Sequence, residues 1–258
     1  MGSFDRWNDH SNSPNNNSLP HPAEMVHKGI DCGGVEGMKI GVYSGNGTAN
    51  ESLKKIMDLL KENFDHVVDF KDEIPETDVL IIPGGRASEI SNSLGKGNLQ
   101  MLKSLVKDGA RYIGICAGAY LAIGGYWEDT TLTGEIDLVE TNHPDIWNWK
   151  RGKGFVRIRL HDHPIASGMR EVRMWYENGP IFSKGKYDVI GEFLDDVNEC
   201  GSSISMRKSP AIITAKYGFG DVVLFSPHPE LSEEQAQKLL FNAIIFQGGK
   251  VCSSMRKI

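Results

Sequence analysis

The sequence predicts one α/β domain over residues 38–250, built on a mostly parallel central sheet and preceded by a polar tail. Three observations carry this reading. Short apolar runs alternate with helical patterns from Met38 to Ile115. One of those runs, Arg111-Tyr112-Ile113-Gly114-Ile115, passes directly into Cys116-Ala117-Gly118. Beyond it, strand-like runs dominate and a single helical stripe closes the chain.

Residues 1–37 are rich in Asn, Ser, Pro, His and Gly, and the stretch Ser11–Ser18 is nearly all Asn and Ser. Such a segment buries too little apolar surface to offset ordering, so it reads as a disordered tail. Cys32 within it reads as a solvated tail thiol. The domain then opens with a buried strand, Lys39–Tyr43, and a turn, Ser44–Gly47. Thr48 with Glu51 three residues later has the form of a capping box, and Leu53, Ile56, Met57 and Leu60 follow at helical spacing. Val67–Phe70 is a weaker strand. Asp78–Ile82 is a strong one, stopped by Pro83-Gly84-Gly85. A helix over 97–108 carries Leu99, Leu102, Leu105 and Val106, and Gly109 ends it before the fourth strand, Arg111–Ile115. Residues 155–160 alternate apolar and charged side chains, as a half-exposed strand does. Residues 172–176, 189–193, 211–215 and 222–225 are further strands, the last two joined as a hairpin through Tyr217–Asp221. The closing helix begins near Ser232, with Ala236, Leu239, Leu240, Ala243 and Ile244 as its buried stripe, and the last residues read as a frayed tail.

Composition excludes some functions. With 28 Lys and Arg against 34 Asp and Glu, the 258-residue chain carries a net charge of −6. That balance argues against nucleic acid or an anionic membrane as the main partner. No apolar run approaches the roughly 18 residues of a membrane span, and no apolar signal core opens the chain. Four cysteines without a CxxC spacing fit a reduced, cytoplasmic protein better than a disulfide scaffold. His161 and His163 flank Asp162, but no other ligand spacing accompanies them, so neither a metal nor a cofactor is predicted.

The chemistry-bearing motif is Gly114-Ile115-Cys116-Ala117-Gly118 at a strand-to-helix junction. Glycines two before and two after the cysteine permit a sharp turn that lifts the sulfur to the sheet edge. A helix N-terminus there favours thiolate, and the Ala117 N–H is placed to meet an oxyanion. A small buried packing cysteine is the alternative. Near the other end, Pro227-His228-Pro229-Glu230 follows a strand. His228 is a candidate base for Cys116 and Glu230 its orienter, although alone the triplet reads as a stiff loop. Gly84 and Gly85 end the third strand at the same sheet edge, where the Gly85 N–H is a candidate second oxyanion donor or the pair is plain turn punctuation.

On these motifs the chain resembles the class I glutamine amidotransferase superfamily. Within it the chain looks most like the amidotransferase-like N-terminal domain of biotin protein ligases, in a stand-alone form. The likeness rests on residues 42–48, Cys116–Tyr120, Tyr176–Pro180 and Gly220–Glu230. The resemblance implies a flavodoxin-like three-layer sandwich with a nucleophile elbow and a Cys-His-Glu triad at Cys116, His228 and Glu230. It also implies that Tyr176 and Asn178 lie on a loop near the pocket. The implied substrate is a small-molecule amide, glutamine in the true amidotransferases, with a synthetase or ligase as partner protein. The chain has no recognisable synthetase domain or ATP-binding loop and lacks the biotin-binding segment of a ligase. Ala117 after Cys116 sets it apart from the deglycase and peptidase branch, where a histidine commonly follows the nucleophile. Two functions therefore stand: an enzyme that hydrolyses or transfers an amide through an acyl-thioenzyme, and a catalytically silent binding or regulatory module. The aromatic run Asn142–Trp149 is either a lid over the site or a packed surface loop.

Overall fold

Strand β1 (Lys39–Tyr43) sits between β2 (His66–Phe70) and β3 (Val79–Ile82), both parallel to it. The structure, a computed structural model, describes residues 37–123, 126–128, 131–133, 136–141, 150–198, 200–247 and 250–251. They belong to one compact unit, Cys32–Ile258. Residues 1–36 of the predicted tail, the Asn142–Trp149 run, and Cys32 and Cys252 lie outside the described residues.

Continuing across the sheet, β3 pairs with β4 (Arg111–Ile115), and β4 pairs with β11 (Gly220–Phe225), again in parallel. From β11 onward the partners are antiparallel: β10 (Pro210–Tyr217), β9 (Asp188–Phe193), β7 (Lys153–Leu160) and the edge strand β8 (Glu171–Glu177). The full order is β2-β1-β3-β4-β11-β10-β9-β7-β8. The sheet is therefore mixed rather than mostly parallel. The reason is local: a turn as short as Gly218-Phe219 between β10 and β11 can only reverse the chain. Two small hairpins stand apart, β5 (Tyr126–Glu128) with β6 (Thr131–Thr133) and β12 (Phe246–Gln247) with β13 (Lys250–Val251).

Side chains of the parallel strands alternate between two apolar clusters. Ile40, Val42, Ile81, Ile113, Ile115, Val223 and Phe225 share a cluster with Ile56 and Leu60 of α1 (Asn50–Lys61) and with Leu239, Leu240 and Ile244 of α4 (Glu234–Ile245). Leu80, Ile82, Tyr112, Val222 and Leu224 share the other with Ile90, Leu102 and Val106 of α2 (Ala87–Asp108) and with Ala119 and Leu121 of α3 (Ala117–Ala122). Helices thus cover both faces of this half, which is why its strands read as unbroken apolar runs.

Two helix starts differ from expectation. Ala49, not Thr48, precedes α1, and no side chain caps it. Thr48 is held instead in a bridge to Gly85, with the Ala49 N–H donating to the Gly84 carbonyl at 2.9 Å. The pairing with the turn after β3 takes the residue that would have capped the helix. α2 starts ten residues earlier than the predicted 97, because Gly95 (φ 68°, ψ 167°) joins two helical segments across a kink.

Candidate active site

Four strand ends converge. β1, β3, β4 and β11 are parallel, so the turn at Gly47, Pro83-Gly84-Gly85, Cys116 and Ser226-Pro227-His228 all leave the sheet at its carboxyl edge. Cys116 makes the turn from β4 to α3 in one residue, at φ 50° and ψ −99°. Its N–H still bonds the Phe225 carbonyl of β11 at 2.8 Å, while its carbonyl already accepts the Ala119 and Tyr120 N–H groups at 3.0 and 3.1 Å. Such a turn leaves no room for side chains on either flank. A Cβ on Gly114 would sit 2.6 Å from the Gly118 carbonyl oxygen, and one on Gly118 would strike the carbonyl oxygen of Ile82. The Tyr112 hydroxyl donates to that same Gly118 carbonyl at 2.7 Å and pins the start of α3 to its strand.

His228 faces Cys116. Its backbone N–H donates to the Trp175 carbonyl on β8 at 2.7 Å. Pro229 then starts a single 3-10 turn that folds Glu230 back beneath the imidazole. Glu230 Oε1 lies 2.9 Å from His228 Nδ1, and Cys116 is near enough to act electrostatically on the same ring. All three side chains are buried, Glu230 to 1% exposure. Burial pulls the His228 pKa down, but the Glu230 carboxylate and Cys116 outweigh it and hold the imidazole well above its ordinary range. The Cys116 Sγ also lies 3.4 Å from the Glu177 carbonyl oxygen, to which its S–H can donate.

The turn after β3 closes the site from the side. Gly84 is under the imidazole, where a Cβ would run into His228 Cε1. The Gly84 N–H donates to the Ser52 hydroxyl at 3.3 Å. Gly85 adopts φ 148° against the Gly47 carbonyl, which a Cβ would strike. Ala117 is the first residue of α3, so its N–H has no intrahelical partner.

A family model described as "Biotin-protein ligase, N terminal" matches residues 38–127. Pyridoxal 5'-phosphate synthase subunit PdxT of Nitrosopumilus maritimus is 35% identical over 203 residues, covering 77% of this chain and 92% of that protein. The chain belongs to the class I glutamine amidotransferase-like superfamily. The biotin–protein ligase of Schizosaccharomyces pombe is 26% identical over 167 residues, 61% of this chain, and the match spans only 26% of the ligase. Among solved structures, PurLQS from Thermotoga maritima superposes with a TM-score of 0.56 at 20% identity, covering 80% of this chain and 97% of that one. A β-galactosidase from Bacillus circulans gives 0.55 at 16% identity, covering 83% of this chain and 32% of that one. These two likenesses concern the fold.

In this amidotransferase-like chain the Tyr176–Pro180 loop does reach Cys116, through the Glu177 carbonyl. Tyr176 is fully buried, and its hydroxyl donates to the Gly179 carbonyl at 2.8 Å. Asn178 takes a left-handed φ of 56°, and its carbonyl accepts the Tyr120 hydroxyl at 3.0 Å. A Cβ on Gly179 would strike the Ser226 carbonyl, so the loop is seated on the segment that leads to His228. His161 and His163 point to different partners: His161 to Glu192 at 3.6 Å, His163 to the Ile165 N–H at 3.2 Å. Among the described residues no cluster of three or more His, Cys, Asp or Glu is arranged around a metal position, and no helix is long and apolar enough to cross a membrane.

One residue at the site escaped the sequence reading. Ser52, on α1, donates to Glu230 Oε1 at 2.6 Å. The signal was there: Ser52, Ile56 and Leu60 are the buried residues of α1, so a hydroxyl occupies one position of an i, i+4, i+8 apolar stripe.

Proposed function

We propose that the chain is a glutamine amidotransferase-like cysteine amidohydrolase or acyl-transfer enzyme. The carrying observation is the juxtaposition of Cys116, His228 and Glu230 at the carboxyl edge of the parallel strands, with Glu230 Oε1 2.9 Å from His228 Nδ1. In this reading β4, Cys116 and α3 form a nucleophile elbow in a flavodoxin-like three-layer sandwich, and residues 38–250 are the catalytic domain. His228, its pKa raised, takes the proton of the Cys116 thiol. The thiolate attacks the amide carbonyl, and the N–H groups of Ala117 and Gly85 receive the oxyanion. Imidazolium gives its proton to the departing nitrogen, which leaves as ammonia, and an acyl-thioester forms on Cys116. His228 then takes a proton from water as it attacks the thioester, so an amide and water yield an acid and ammonia. Glutamine is the candidate amide, because the chain belongs to the class I glutamine amidotransferase-like superfamily, and one relative, PdxT, is named as a synthase subunit. The same name makes a synthase or ligase partner the candidate ammonia acceptor.

A silent binding module is the competing reading, favoured by a Cys116 that is only 5% exposed and has the Glu177 carbonyl as an alternative partner for its S–H. An electrophilic glutamine analogue separates the two. The catalytic reading expects covalent modification of Cys116, found by peptide mapping, with ammonia release from glutamine or another small amide. It also expects His228→Ala to slow modification by about a hundredfold or more. No ammonia from any amide tried, together with unchanged modification in His228→Ala, would establish the silent module.

A further inference from the structure

Glu230 is bonded in an uneven way. Its Oε1 carries two hydrogen bonds, from His228 Nδ1 at 2.9 Å and from the Ser52 hydroxyl at 2.6 Å. Its Oε2 is buried and has no partner among the described residues. The orientation of this carboxylate therefore depends on those two bonds. One comes from the imidazole it is meant to hold; the other comes from an independent element, α1. Ser52 is 1% exposed, so no water competes freely for its hydroxyl. The same oxygen accepts the Gly84 N–H at 3.3 Å, and Gly84 is the residue against which the His228 ring rests. With its proton on Glu230 and a lone pair toward Gly84, one hydroxyl spans the acid and the turn that borders the imidazole.

We propose that Ser52 is a positioning residue of this site, fixing the Glu230 carboxylate and through it the His228 ring while tying both to the turn after β3. The inference rests on the catalytic reading above. A carboxylate with its second anchor removed can rotate about its terminal torsion and present either oxygen to His228, so the imidazolium loses its fixed partner. Ser52 touches neither Cys116 nor a substrate position, so its effect must pass through Glu230.

That requirement sets the test. The rate of Cys116 alkylation by iodoacetamide at pH 7, read by peptide mapping, is measured for Ser52→Ala, Glu230→Gln, the double variant and His228→Ala, with thermal melts to confirm folding. We expect Ser52→Ala to slow alkylation by about tenfold, a loss on the scale of one hydrogen bond to a charged group. In the Glu230→Gln background we expect no further slowing, since the route is already cut. Ser52→Thr, which restores the hydroxyl, should recover most of the rate. If Ser52→Ala does not fold, Ser52→Cys keeps the volume with a weak donor and is read in the same cycle. An unchanged rate in Ser52→Ala, or slowing that persists undiminished in Glu230→Gln, overturns the role of Ser52 while Glu230→Gln and His228→Ala still slow the thiol. If His228→Ala alkylates as fast as the wild type, the catalytic reading falls and this inference falls with it.

Discussion

Burial alone would leave the His228 imidazole neutral at pH 7. The Glu230 carboxylate and Cys116 reverse that sign and raise its pKa well above about 6.5, the value expected in the unfolded chain. A group whose folded pKa is raised stabilises the fold fully below its unfolded pKa, and that contribution is lost as pH rises through the folded value. Two measurements follow. The Cε1 proton of His228, followed by NMR, should titrate well above pH 6.5, and in Glu230→Gln the midpoint should fall as burial regains control. The stability gap between wild type and Glu230→Gln should be widest near pH 6 and narrow on the alkaline side. A wild-type midpoint at or below 6.5 would show that the ion pair does not form. At this scale the positions of Cys116, His228 and Glu230 were legible because glycine and proline record backbone geometry directly. Gly114 and Gly118 mark a turn where a Cβ has no room, and Pro229 marks the turn that returns Glu230. The role of Ser52 was not legible even though its place on the Ile56–Leu60 stripe was, because its partner lies 178 residues away and a serine near a helix start has an ordinary local explanation.

Among elements, α2 holds a sharper contrast than its sequence suggests. Gly95 and Gly97 both have open space where a Cβ would go, so sterics with neighbours do not distinguish them. Backbone conformation does. Gly95 at φ 68° and ψ 167° occupies a region that other residues essentially never adopt, whereas Gly97 is helical. Gly95→Ala should therefore destabilise by about 1–3 kcal/mol, and Gly97→Ala should stabilise by about 0.5 kcal/mol. Chemical denaturation of the two variants measures both; effects of the same sign would mean that the kink is not where the helix breaks. The first segment of α2 was unreadable for the same reason, since a Ser-rich stretch interrupted by Gly95 has no periodicity long enough to score. Strands β1, β3, β4 and β11 were legible because burial on both faces demands unbroken apolar runs. The pairing of β7 with β9 and β8 was not, because side-chain alternation gives which face is buried and says nothing of the neighbour.

For the whole molecule, the question is which residues the fold needs. Among the described residues both apolar clusters are complete sheet-and-helix cores, with Met38 itself 6% exposed in the cluster that includes Cys116. The first sheet strand begins one residue later, and Lys39 is anchored by its N–H to Asp78 at 2.8 Å. Every element that carries the candidate site, from Ser52 on α1 to Glu230 after β11, lies within 38–250. The composition of the polar N-terminal segment gives it little apolar surface to bury. Deleting residues 1–36 should accordingly leave the melting temperature within about 2 °C of the full chain, less than about 1 kcal/mol for a protein of this size. Cys116 alkylation should be unchanged, since among the described residues the groups around the thiol come from β4, β8 and the segment after β11. Differential scanning calorimetry and the labelling assay, run on both lengths, provide the check. A melting temperature lowered by about 4 °C or more would mean that the segment packs on the domain, and a changed alkylation rate at constant stability would mean that it reaches the site.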